Sequence, residues 1–284
     1  MSHAIALLHP GAMGTALGQC LRAAGHRVGW CSAGRSARSA ERAAANGFDT
    51  FAALADLLRV SDIAVAVCPP DAAVATARTV ADAAFTGIYV DANAVAPATA
   101  MTIAGIVESA GARFVDGGII GPPPRAPGTT WLYLSGEHAR VVAPVFANPP
   151  LTVVDLGVPA TAASALKMCY AAWTKGSSAL LLAVAALARA SGVDAALAAQ
   201  WQQSDPELPH LLAAHAARDA PKAWRFAGEM REIAATFATH GLSPQFHAGA
   251  AQTFAALAGF RDADPPPDLD RVLASLPGDT SADT

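Results

Sequence analysis

Two short stretches of the 284-residue chain carry residue types that could do chemistry. In the first, "IALLHPGAMGTALG" (residues 5–18), an apolar run enters a glycine-containing turn and continues with helical spacing. Small residues in such a turn let backbone N–H groups approach an anion at the positive end of a helix, which is how a dinucleotide pyrophosphate is held. Gly11 and Gly14 take the second and third positions of the G-x-G-x-x-G pattern, with Ala12 and Met13 between them. His9 takes the first position, and Pro10 presets a turn φ beside it. The second stretch is "TAASALKMCYAAWTKGSS" (161–178), which places Lys167 among apolar neighbours. A partly buried lysine can be tuned toward neutrality by desolvation and then serves as a general acid or base. A lysine that snorkels to the surface is the alternative.

A third stretch bears on which anion the turn would meet. The second apolar run, "HRVGWC", leads into "SAGRSARS" (32–39), and no Asp or Glu follows before Glu41. A carboxylate there would bond the ribose hydroxyls of NAD; Ser32, Arg35, Ser36 and Arg38 suit a 2′-phosphate instead. The expectation is NADP(H), with NAD as the alternative and a solvated polar loop as the plain reading.

The elements that must position these residues are legible as alternation. Apolar runs at 4–8, 27–31, 63–68, 88–91, 113–116, 131–135 and 152–155 are separated mostly by amphipathic, Ala-rich helical stretches. That pattern predicts βαβ units and a doubly wound parallel sheet of Rossmann type. After Pro159 the strand signals cease and helical spacing takes over, from Ala160 to about Ser191 and then in segments to Gly259. The expected division is a dinucleotide-binding domain over 1–157 and an all-α substrate and dimerisation domain over 158–284. The tail "DADPPPDLDRVLASLPGDTSADT" is expected to fray at its end.

Composition narrows the class. Hydrophobic residues make up 53% and charged residues 15%, but the longest apolar run, "ALLLAVAALA" (179–188), is too short to span a bilayer and reads as a buried helix. No basic segment or cleavage signature precedes the first strand, so no secretory leader is expected. The four cysteines show no C-x-x-C spacing, which favours free thiols in a cytoplasmic protein over disulfides or a metal site. A net charge of −4 without a basic block argues against nucleic acid as partner.

The order of signals resembles the β-hydroxyacid dehydrogenase superfamily, which includes 6-phosphogluconate and 3-hydroxyisobutyrate dehydrogenases, in a branch with a distinctive helical C-terminal domain. The matching stations are Gly11–Gly14, "VAVCPPDAA" (65–73), "YVDANAVAP" (89–97), "FVDGGIIGPPP" (114–124) and "ALKMCYAAWTKG" (165–176). The resemblance implies that Cys68, Pro69 and Pro70 shape the nicotinamide side of the cofactor and that Asn93 lies beside the ring. It also implies that Lys167 is the catalytic lysine. The helical Asn expected four residues later is Ala171 here, with Tyr170 beside it as the substitute donor.

The substrate loop departs from the family as well. The family carries a Ser and paired glycines after the Asp to bind a substrate carboxylate. Here Gly117 and Gly118 follow Asp116, Ile120 replaces the Ser and Pro122 replaces the second Gly. With Ile119, Ile120 and three prolines, this implies a more apolar or bulkier small molecule, with Arg125 as an anion contact and Trp173 on the same helix. The family's late Lys–Asp pair corresponds to Glu229 and Met230, so Glu229 is a substrate-side candidate, with an exposed helix face as the alternative. The implied function is an NADP(H)-dependent oxidoreductase working on a hydroxyl/carbonyl pair. The alternatives are an imine reductase of the same fold and a non-catalytic NADP(H)-binding redox sensor. The helix after Lys167 is apolar on more than one face, which predicts a homodimer.

Overall fold

The computed structural model describes residues 2–276. Residues 277–284, where the tail is expected to fray, lie outside the described residues. The chain alternates β1 (Ala4–Leu7), α1 (Ala12–Ala23), β2 (Arg27–Cys31), α2 (Ala37–Ala45), β3 (Asp49–Phe51), α3 (Leu54–Arg59), β4 (Ile63–Ala66), α4 (Pro70–Asp82), β5 (Ile88–Asp91), α5 (Pro97–Ser109), β6 (Arg113–Ile120), β7 (Thr130–Ser135), α6 (Ala139–Phe146) and β8 (Leu151–Asp155). The helices that follow are α7 (Ala162–Ala190), α8 (Asp194–Ser204), α9 (Leu208–Asp219), α10 (Ala223–Thr239), α11 (Gln245–Ala256) and α12 (Leu269–Ala274). Contacts divide the chain into one unit at Met1–Met168 and another at Cys169–Thr284.

In the first unit the eight strands form one sheet, ordered β3-β2-β1-β4-β5-β6-β7-β8. Strands β1 to β6 run parallel, β7 is antiparallel to β6, and β8 is parallel to β7. The order reverses between β1 and β4, which opens a crevice at the carboxyl ends of the strands. Both faces of the sheet are covered, so the central strands are apolar throughout and their residues sort by period two. Ile5, Leu7, Ile63, Val65, Ile88 and Val90 pack into one layer; Ala6, Leu8, Ala64, Ala66 and Tyr89 pack into the other. Pro70 and Pro97 open α4 and α5, where a missing N–H costs nothing.

The structure differs from the sequence expectation in four places. Residues 49–51, outside the apolar runs that mark strands in the sequence, form a short edge strand; three residues are too few to show alternation. Residues 139–146 are helical despite Pro144, which hides the helix from a reading of propensities. Residues 117–120 continue β6 and are not a loop, because four pairings with β7 outweigh the poor strand propensity of Gly117-Gly118. Finally, the run at 179–188 is buried on one side only: Ala179, Leu182, Ala185 and Ala188 face inward while Leu180 and Leu187 are exposed. This 29-residue helix is long and apolar enough to cross a membrane by length and composition, with a mean hydropathy of 1.4 over its most apolar window.

The second unit is helical. Helices α10 and α11 pack together, with Phe226 edge-on to Phe254 at 5.3 Å and Met230, Ile233 and Leu257 buried nearby. Lys175 and Glu229 form a largely buried ion pair, with the Lys175 ammonium 4.8 Å from the Phe226 ring. Asp219, also buried, accepts from Ser178 Oγ at 2.7 Å and from both ends of the Arg218 fork.

Candidate active site

The loop after β1 is built by close backbone approach. Gly11 N donates to the His9 carbonyl at 2.9 Å, and Thr15 N donates to the Gly11 carbonyl at 2.8 Å. A Cβ at Gly14 would lie 2.2 Å from the His9 carbonyl oxygen, so only glycine lets α1 begin this close to the end of β1. A Cβ at Gly11 would meet nothing within 4 Å, which leaves that backbone face open to an anion. The first position makes no such demand: His9 is not among the residues with positive φ, and its side chain is accommodated. Burial first, and the charge of Arg35 second, bring the His9 imidazole down to a pKa of about 4, so its ring is neutral at pH 7. Ala12 and Met13 form the first turn of α1, and Met13 packs its side chain against the core.

Beyond β2, the expected phosphate contacts divide. Ser32 Oγ donates to the Phe51 carbonyl at 3.2 Å, and Ser36 Oγ caps α2 by accepting from Ser39 N at 3.3 Å. Both hydroxyls are used by the fold. Arg35 is exposed and reaches back across the end of β1, donating Nη2 to the Leu8 carbonyl at 3.0 Å. It therefore lies next to His9 at the edge of the phosphate loop.

On the other side of the crevice, Asn93 follows β5 and is 2% exposed. Its Oδ1 accepts from Cys68 N at 2.6 Å and its own N–H donates to Asp91 Oδ1 at 3.0 Å. Asn93 thus ties the Cys68–Pro69–Pro70 turn to the end of β5. Burial, the largest influence, raises the Cys68 thiol to a pKa of about 11, so it stays protonated. His9 Nδ1, Thr15 Oγ1 and Asn93 Nδ2 are buried without a hydrogen-bond partner. Buried polar atoms are seldom left this way, and these three flank the crevice where the strand order reverses. Open backbone at Gly11 and these orphaned atoms fit a nicotinamide dinucleotide.

Strand β6 lies beside β5, with Asp91 opposite Asp116. Lys167 Nζ donates to the Ile119 carbonyl at 2.6 Å. The paired glycines serve packing here: a Cβ at Gly118 would lie 2.6 Å from the Ala163 carbonyl oxygen and 3.3 Å from Lys167 Cβ, and one at Gly117 would lie 2.8 Å from the Asp91 carbonyl oxygen. Ile119 and Ile120 are buried. The structure thus brings Lys167 of α7 against Gly118 and Ile119 of β6, while Gly117 packs against Asp91 and Ala92 at the end of β5, which Asn93 follows.

The other candidates have surroundings of their own. Arg125 is exposed and lines a shallow concavity with Gln19, Cys20, Ala23, Pro149 and Pro150. Tyr170 and Trp173 are exposed on α7 in the second unit, and Glu229 is engaged by Lys175. Three buried polar residues escape a sequence reading: Asp116, Ser135 and Ser164. Asp116 accepts from Ser164 Oγ at 2.5 Å, Ser164 N at 2.8 Å and Ser135 Oγ at 3.0 Å. Burial raises the Asp116 pKa, partly offset by these donors. An Asp inside the apolar run "FVDGGII" is the one local signal that could have drawn attention to it.

Comparison with known proteins agrees with this geometry. A family model described as "NAD binding domain of 6-phosphogluconate dehydrogenase" matches residues 4–148, and one described as "Domain of unknown function (DUF1932)" matches residues 188–257. No curated protein matches the chain. Among solved structures, a 3-hydroxyisobutyrate dehydrogenase from Mycobacterium tuberculosis, with L-serine, is 19% identical with a TM-score of 0.72, covering 98% of this chain and 100% of its own. A conserved hypothetical protein from Sinorhizobium meliloti 1021 is 23% identical with a TM-score of 0.67, covering 97% and 96%. A reductive aminase from Aspergillus terreus, in complex with NADPH and ethyl levulinate, is 21% identical with a TM-score of 0.57, covering 96% and 99%. At these identities the likeness is one of fold. The family model spans half the chain, from β1 through α6, and takes in the phosphate loop, the Cys68 turn, Asn93 and β6. The chain belongs to the family of the NAD binding domain of 6-phosphogluconate dehydrogenase.

Proposed function

We propose that the chain is an NADP(H)-dependent oxidoreductase acting on the hydroxyl/carbonyl pair of a small molecule, with Lys167 as the general acid/base. The observation that carries this reading is the hydrogen bond from Lys167 Nζ to the Ile119 carbonyl, which fixes an amine against β6, the strand paired with β5, after which Asn93 follows. The nicotinamide dinucleotide, when bound, supplies or accepts the hydride. Lys167, as the ammonium, donates a proton from Nζ to a carbonyl oxygen during reduction; as the amine, it takes the hydroxyl proton during oxidation. The Ile119 carbonyl aims Nζ without neutralising it. Asn93 Nδ2 is a buried donor suited to a carboxamide or to the substrate oxygen.

Gly11–Gly14 and the start of α1 hold the pyrophosphate, and Arg35 meets the 2′-phosphate. The same-fold proteins described as a dehydrogenase and as a reductive aminase in complex with NADPH support a nicotinamide cofactor. The buried Ile119 and Ile120 at the end of β6 favour an apolar substrate over a small hydroxy acid. That observation also suits a second reading, reduction of an imine.

The test is a screen that follows nicotinamide absorbance with small hydroxy acids, apolar ketones or alcohols, and cyclic imines, across a pH range. Turnover of ketones or alcohols is expected. Turnover of imines alone would establish the second reading. Tight NADPH binding without turnover of any class would reject both in favour of a sensor.

A further inference from the structure

We propose that Asp116 is a positioning residue: its carboxylate, with Ser135, grips the first turn of α7 and thereby sets Lys167 against the Ile119 carbonyl. The inference rests on the general acid/base role of Lys167. Helix starts leave N–H groups without intrahelical partners, and a cap usually comes from the residue just before the helix. The start of α7 is capped from the sheet. Ser164 donates both its N–H (2.8 Å) and its Oγ–H (2.5 Å) to Asp116, and Ala163 N donates to Ser135 Oγ at 3.0 Å. Ser135 Oγ in turn donates to Asp116 at 3.0 Å, and Asp116 and Ser135 are register partners across β6 and β7. All three side chains are fully buried. A negative carboxylate is also the favourable charge at a helix N-terminus.

This clamp and the lysine share one helix face and one strand. Ala163 and Ser164 precede Lys167 by four and three residues, so all three project to the same side of α7. Opposite them, Asp116 grips the backbone, Gly118 lets the helix lie close, and Ile119 receives Nζ. Within four residues β6 therefore fixes both the start of the helix and the tip of its lysine. Loosening the clamp would let the helix start lift from Gly118 and release Nζ from the carbonyl, while the phosphate loop, which belongs to β1 and α1, is untouched.

The experiment compares wild type with Ser164→Ala and Asp116→Asn. Acylation of each lysine by acetic anhydride is followed by mass spectrometry across pH, with amide hydrogen exchange and NADPH affinity measured in parallel. The chain has three lysines, so Lys175 and Lys222 serve as internal references. Lys167 should acylate roughly two- to tenfold faster in Ser164→Ala, the equivalent of one net hydrogen bond. Exchange should rise at 162–168, and NADPH affinity should be unchanged. Asp116→Asn should exaggerate the effect; if it fails to fold, Ser164→Ala decides alone. Unchanged acylation of Lys167 and unchanged exchange in Ser164→Ala would overturn the proposal, as would an equal rise at all three lysines. None of these readouts requires turnover. Failure of the acid/base reading would show instead as normal turnover by a Lys167 variant, so the two are separable.

Discussion

Lys167 Nζ donates a 2.6 Å hydrogen bond to the carbonyl of Ile119, which joins the second turn of α7 to the far end of β6. A carbonyl orients an ammonium and leaves its charge and its exchangeable proton intact, as a proton donor or acceptor requires. Replacing the amine should therefore affect chemistry far more than binding. Lys167→Met is expected to retain NADPH affinity and to lose about 10²- to 10⁴-fold in kcat, the usual worth of general acid/base catalysis. Steady-state kinetics on the substrate class found by screening, with NADPH titrated by fluorescence, checks this. Near-normal kcat would remove Lys167 from the chemistry.

Arg35 offers the next prediction, because it is the exposed cation held at the rim of the phosphate loop by the Leu8 carbonyl. Ser32 and Ser36 are occupied with the Phe51 carbonyl and the α2 cap, so discrimination between cofactors should fall mainly on arginine. Arg35→Ala is expected to weaken NADPH by roughly ten- to a hundredfold, the worth of a hydrogen bond to a charged group, and NADH little. Calorimetric titration of the two cofactors measures it. An equal loss for both would make Arg35 a support for the loop and not a reader of the 2′-phosphate.

His9 makes stability depend on pH. Burial, then Arg35, lower its pKa from 6.5 to about 4, so between those values the unfolded chain binds a proton that the folded chain refuses. Folding is thus weakened as pH falls through that window and regains this contribution above about 6.5. His26, His215 and His247 are also lowered, chiefly by burial, and slope the same way. His9→Asn isolates the contribution. The gap in unfolding free energy between variant and wild type should change by up to about 3 kcal/mol across the window. Urea titrations at several pH values read it out, and parallel curves would reject it.

The residues that a sequence can place are those whose reasons are local. Gly11 and Gly14 are spaced by the turn they build, and β1, β4 and β5 are apolar because both faces of the sheet are covered. The lysine was visible as a cation among apolar letters. What surrounds it was not. Ser135 is 19 residues from Asp116 in sequence, Ser164 is 48, and Glu229 is 54 from Lys175; no periodicity links such pairs. The extension of β6 through Gly117-Gly118 was hidden for the same reason. Glycine weakens a strand signal, and the compensation comes from pairing with β7 and from contact with α7, both remote in sequence.

The exposed side of α7 yields the last prediction. Trp173, Leu180 and Leu187 recur every seven residues, which aligns them along one face, and they are 75%, 51% and 67% exposed. Helix α8 follows with no buried residue at all. Large apolar side chains aligned on one exposed face are the usual mark of a protein contact. A second copy of the chain offers the same stripe, so a two-fold contact between α7 helices is self-complementary. A stable pairing buries about 800 Å² on each partner. The chain is therefore expected to run as a dimer in light scattering at micromolar concentration. The double variant Trp173→Lys, Leu180→Lys places four like charges in the seam and should shift the mass to that of a monomer without loss of helical signal. A monomeric wild type would refute the pairing, and a variant that stays dimeric would move the interface off α7.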